Sequence, residues 1–124
     1  MIEIESVILE HINSARNGKI STRHIRFSHP TQDKTVGAVV QSNRRLKNTS
    51  KFLDVCTAID LIRNGKFPDR VNLLLCTGTV IEREGEIIVP CIVKNQNGHG
   101  AKYHVGFRRQ NQIVGRAYAV GVFE

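Results

Sequence analysis

The sequence predicts an α+β fold, two helices packed on a four-stranded antiparallel β-meander. Three observations carry this. Apolar residues recur at helical spacing in two stretches, residues 3–16 and 52–62. Everything after residue 70 is strand-like and punctuated by Gly/Asn turns. Successive strands with short connections favour antiparallel neighbours, and the apolar face of such a sheet needs a layer that helices can supply.

The chain has 124 residues, of which 40% are apolar. That suits one domain with its own core and excludes a disordered composition. It divides into a basic N-terminal half, 1–50, and a helix-plus-meander half, 51–124. No window approaches the roughly 18 apolar residues of a membrane span. Met1-Ile2-Glu3-Ile4-Glu5 is acidic where a secretory signal is basic. Cys56, Cys76 and Cys91 each lie in an apolar run, and none forms a CxxC pair. They read as buried reduced thiols in a cytoplasmic protein, with neither zinc nor redox chemistry.

In chain order, Ile4, Ile8, Ile12 and Ala15 make the first helical stripe, stopped at Asn17-Gly18. Residues 25–30 suggest a short strand ending at Pro30. Residues 35–40, TVGAVV, are β-branched and read as extended or as a short helix; 41–48 read as a basic loop or helix end. Thr49 or Ser50 could cap the second helix, whose stripe is Phe52, Val55, Cys56, Ile59 and Ile62. Asn64-Gly65 should end it. The meander strands are 71–82, 86–94, 101–110 and 113–123, with a tight turn at Arg83-Glu84-Gly85 and a loop at 95–100. Pro90 cannot donate to a ladder, which places it on an edge or at a bulge.

Charge is unevenly spread. The net charge is +7; residues 11–51 hold nine Lys/Arg against one acid, and 94–116 hold five against none. Two basic blocks point to a polyanionic partner. Strand parity narrows the second block. In the third meander strand Tyr103, Val105 and Phe107 point one way, toward the helices. Lys102, His104 and Arg108 point the other. A three-residue turn at 110–112 would set His104 opposite Tyr118 and Gly106 opposite Arg116. Other turn lengths would bury Arg116 unpaired, which is costly. Lys102, His104, Arg108, Arg116 and Tyr118 then form one cationic face. Such a set suits RNA cleavage through the 2′-hydroxyl: His as acid or base, Arg and Lys for phosphate charge, Tyr to donate or stack. No cofactor is needed.

The segment Ala58-Ile59…Asn64-Gly65, followed by four strands bearing basic residues and His, resembles the RelE and colicin-type ribonucleases over about residues 50–124. The resemblance implies a small metal-independent ribonuclease, with His104, Arg108, Arg116 and Tyr118 matching in residue type.

Arg44, Arg45, Lys47 and Lys51 are the densest basic run and, with Arg109, are candidates for contacts to a nucleic-acid backbone. His24/His29 and His99/His104 are spaced five apart, which puts each pair on opposite strand faces and argues against a metal. His29-Pro30-Thr31 is half of a two-histidine phosphoesterase pattern without its second half; His29 stays a candidate phosphate contact. Three functions are therefore in view: a metal-independent ribonuclease, a non-catalytic nucleic-acid-binding regulator of phage or mobile-element type, and a module binding a nucleotide or an acidic protein. An open sheet would also leave edge strands for homodimerisation.

Overall fold

Alternation of apolar and acidic residues at Ile2-Glu3-Ile4 makes a strand before the first helix begins. The computed structural model describes residues 2–15, 24–45, 52–98 and 100–124. Within them lie nine strands and three helices: β1 Ile2–Ile4, α1 Ser6–Ala15, β2 Ile25–Ser28, β3 Lys34–Thr35, α2 Val36–Arg45, α3 Val55–Arg63, β4 Leu73–Leu75, β5 Ile81–Arg83, β6 Glu86–Asn97, β7 Gly100–Arg109, β8 Ile113–Val114 and β9 Tyr118–Phe123. The main sheet runs β1-β7-β6-β4-β9-β2, with β5 added to β6; β3 and β8 pair separately. β1/β7 and β4/β9 are parallel. The expected two-helix, four-stranded antiparallel meander is thus replaced by two sheets, the larger one mixed.

The corrections have local causes. Residues 3–16 are not one helix, because the Glu5 N–H donates to the Val105 carbonyl at 2.9 Å and holds the chain in the sheet. The Glu5 carbonyl then accepts from Ile8 and Leu9, starting α1. Residues 36–45 are helical, since Val36 and Val40 share one buried helix face and the Thr35 hydroxyl accepts from Ala38 N–H at 3.1 Å. Tertiary burial overrides their β-branched preference. The cap of α3 is Asp54, whose carboxylate accepts from Thr57 N–H at 3.1 Å and from its hydroxyl at 2.7 Å. Thr49 and Ser50, like Asn17, Gly18 and His99, lie outside the described residues. Asn64 ends α3 as expected, followed by Gly65 at φ 67°.

Segment 71–82 is broken at Thr77-Gly78. A Cβ on Gly78 would stand 2.1 Å from the Phe52 carbonyl oxygen, so only glycine lets the 52–54 segment cross there. The turn Glu84-Gly85 (φ 53° and 79°) closes the β5–β6 hairpin as read from sequence. Pro90 is not on an outer edge; the ladder on one side of it is interrupted, with residues 76–80 standing opposite 89–90. The proline lies within β6, at the point where the neighbour on one side changes from β5 to β4. The Cys76 N–H still bonds the Pro90 carbonyl, and the Cys76 carbonyl accepts from Thr79 N–H instead of from a proline that has none.

Segment 113–123 is also two strands. β8 leaves to pair with β3, and β9 lies between β4 and β2. β9 therefore never pairs with β7. His104 is aligned with Glu3 and Val93, and Tyr118 with Leu73. The expected His104–Tyr118 and Gly106–Arg116 register is overturned.

Two apolar layers sandwich the main sheet. One contains Ile8, Val55, Ile59, Leu74, Ile92 and Val105 under α1 and α3. The other holds Val36, Val40, Leu75, Val89, Cys91 and Val114 under α2 and β8. Each fully buried Leu or Ile contributes roughly 1.5–3 kcal/mol. Tyr103 and Phe107 pack with the first layer, as strand parity indicated. Among the described residues no helix is long and apolar enough to cross a membrane.

Candidate functional site

On the even-numbered face of β7, His104 meets two acidic residues of the N-terminal segment, Glu3 in β1 and Glu5 just after it. His104 stands between two carboxylates: Nε2 is 3.2 Å from Glu5 Oε1, and Nδ1 is 3.6 Å from Glu3 Oε2. The His104 and Glu5 side chains are 42% and 41% exposed, so a ligand can reach the pair and solvent screens it. Gly106 makes this meeting fit. A Cβ there would lie 3.3 Å from both Glu5 Oε1 and His104 Nε2. A glycine inside a strand weakens it, and close approach of other groups is a common reason for one.

Arg108, two residues on, donates from Nε to the Tyr118 hydroxyl at 3.0 Å and from Nη1 to the Phe107 carbonyl at 3.1 Å. Its guanidinium carbon is 5.9 Å from the Tyr118 ring centre. The tyrosine hydrogen bond raises the Arg108 pKa, outweighing partial burial, with Glu5 a smaller contributor. The tyrosine is fixed at its other end too: His29 Nδ1–H donates to the Tyr118 carbonyl at 3.0 Å.

Among the expected site residues, His104, Arg108 and Tyr118 therefore share one face, although their strands are not paired as read from sequence. Lys102 is exposed at the rim of a small recess with Glu3, Asn95 and His104. Arg116 is exposed in the turn before β9, and no hydrogen bond among the described residues ties it to the set. Arg109 lies on the opposite face, bonded to Glu86 at 3.0 Å. Arg44 and Arg45 end α2, but their side chains, with Lys47 and Lys51, lie outside the described residues.

Sequence reasoning missed Glu3, Glu5 and the role of Gly106. The period-two pattern Ile2-Glu3-Ile4-Glu5 was the available signal. The face is consequently of mixed charge at His104 and cationic only toward Lys102 and Arg108. Glu3, Glu5 and His104 adjoin, yet no group of three His, Cys, Asp or Glu among the described residues could hold a metal ion.

The fold activates none of the three cysteines as a nucleophile. Burial and then Asp54 and Asp60 push the Cys56 thiol up, although it borders a cleft of about 680 Å³ between α1 and α3. Burial raises Cys91 to about 11 and Cys76 well above its ordinary value. The thiolate is the reactive form, and all three sites disfavour it. No protein-family model matches the chain, and no curated protein or solved structure matches it either.

Proposed function

We propose that the protein binds RNA and cleaves its phosphodiesters without a metal, using Glu5 and His104 as an acid–base pair. The observation that carries this reading is the 3.2 Å approach of Glu5 Oε1 to His104 Nε2 above Gly106, with Arg108 next along the same face. In the proposed reaction the substrate enters between Glu5 and His104 and parts them, and the Glu5 carboxylate takes the proton from a ribose 2′-hydroxyl. The 2′-oxygen attacks phosphorus, and the bond from phosphorus to the 5′-oxygen breaks. The His104 imidazolium gives its proton to that leaving oxygen. The products are a 2′,3′-cyclic phosphate and a 5′-hydroxyl, with no co-reactant consumed. Arg108, steadied by Tyr118, donates to the non-bridging oxygens as charge builds there. Lys102 and the basic run Arg44, Arg45, Lys47 and Lys51 supply backbone affinity. General acid–base catalysis of this kind is worth about 10²–10⁴-fold.

One observation favours binding without cleavage. Both ring nitrogens of His104 face carboxylates, at 3.2 and 3.6 Å, so substrate must displace one of them. A single experiment separates the readings: mixed RNA is incubated with pure protein in EDTA, and cyclic-phosphate ends are counted. Cleavage lost in His104→Ala and Glu5→Gln supports the acid–base pair. Salt-sensitive binding with no cleavage supports the second reading.

A further inference from the structure

We infer that the cleft beside α2, on the far side of Tyr118 from Arg108, is a phosphoryl-binding subsite. The inference takes RNA as one source of the phosphoryl group from the reading above and otherwise does not depend on it. The cleft has a volume of about 290 Å³, near the lower end for small-ligand sites and ample for a phosphoryl group with part of its sugar.

Its walls suit an anion. His29, Thr31 and Lys34 come from the β2–β3 segment, and Ser42 and Asn43 from α2. No carboxylate is among the described residues that line it. Lys34 has no ion-pair partner among the described residues and remains available to a ligand. The Asn43 amide provides an independent pointer. Its Nδ2 is buried and has no hydrogen-bond acceptor. A buried donor left unpaired is costly, and a turn of the amide toward the cleft, whose wall Asn43 helps to form, would bring it to a phosphoryl oxygen.

His29 is held in a definite orientation. Its Nδ1–H is committed to the Tyr118 carbonyl, which leaves Nε2 to meet a ligand. That atom can accept from a phosphoryl hydroxyl or, once protonated, donate to a phosphoryl oxygen. Tyr118 thus joins two places: its hydroxyl holds Arg108 and its carbonyl holds His29. A nucleic-acid strand with one phosphate at Arg108 has a second anchoring point across the same tyrosine.

The test is an NMR titration of the full chain, following the Asn43 side-chain amide and the His29 imidazole. The probes are inorganic phosphate, adenosine 5′-monophosphate and a dinucleoside monophosphate, each against sodium chloride of equal ionic strength. Saturable shifts of both groups are expected, weakened roughly tenfold in Lys34→Ala and less in Ser42→Ala, both at exposed positions. Shifts with the dinucleoside monophosphate identify nucleic-acid backbone as the source; shifts with phosphate and the mononucleotide alone identify a free monoester. The inference is overturned if no probe moves Asn43 and His29, if chloride moves them equally, or if Lys34→Ala binds as the parent does. Intact phosphate binding with no RNA cleavage would count against the Glu5–His104 reaction only.

Discussion

The Arg108 Nε donates to the Tyr118 hydroxyl at 3.0 Å although β7 and β9 are separated in the sheet by β6 and β4. The two side chains reach toward each other across the face that carries Val89, Cys91 and Leu75. This bond makes Tyr118 part of the site despite its distant strand. Tyr118→Phe should therefore lower stability by about 1 kcal/mol, the usual net value of one hydrogen bond, measured by urea denaturation. Its effect on RNA cleavage should exceed that of an Arg116→Ala change, because Arg116 is outside the set.

Gly106→Ala separates geometry from stability. Its Cβ would press on Glu5 Oε1 and His104 Nε2 at 3.3 Å, a contact that half-exposed side chains relieve by moving a few tenths of an ångström. The expected result is a folded protein with cleavage reduced by about tenfold or more, since small displacements of reacting groups are costly. Circular dichroism with a rate assay checks both halves. Unchanged cleavage would detach Gly106 from the site.

The cysteines give a pH dependence of defined sign. Burial raises Cys91 from 9.0 to about 11 and pushes Cys76 well up as well, while the unfolded chain keeps ordinary thiols. Below pH about 7.5 both states hold the protons and stability is unaffected. As pH rises from 9 toward 11 the unfolded state releases protons that the folded state retains, so stability falls. Denaturant midpoints should decline across that window, with a weaker decline in Cys91→Ala. A thiol reagent at pH 8 should label Cys56 before Cys91 or Cys76, because only Cys56 is partly exposed.

Asp54 tests the start of α3. Asp54→Ala removes the acceptor for the Thr57 N–H and hydroxyl and should cost about 1 kcal/mol, whereas Asp54→Asn should cost less. A thermal melt of the two variants beside the parent decides it.

Local patterns made some elements legible. The α3 stripe from Val55 to Ile62 with its Asn64-Gly65 stop, the Glu84-Gly85 hairpin and the inward side of β7 at Tyr103, Val105 and Phe107 were all readable, whereas Phe52, read as the head of that stripe, lies before the helix and bridges to Val122. Each depends on neighbours within a few residues. What escaped depends on distant ones. The break at Gly78 exists because the Phe52 carbonyl crosses there. β8 turns away to pair with β3, and β9 takes β4 as a parallel neighbour. Parity says which way a side chain points but not which strand lies beside it. Hence the common face of His104, Arg108 and Tyr118 was found through a register that does not exist, and Glu5 was hidden inside an apparent helix.

The most direct measurement of the central claim is the release of 2′,3′-cyclic phosphate ends from RNA in EDTA by the parent, His104→Ala and Glu5→Gln proteins. The account predicts cleavage by the parent and a loss of about 10²-fold or more in each variant, with RNA binding retained. No cleavage by the parent, or equal cleavage by all three, would contradict it.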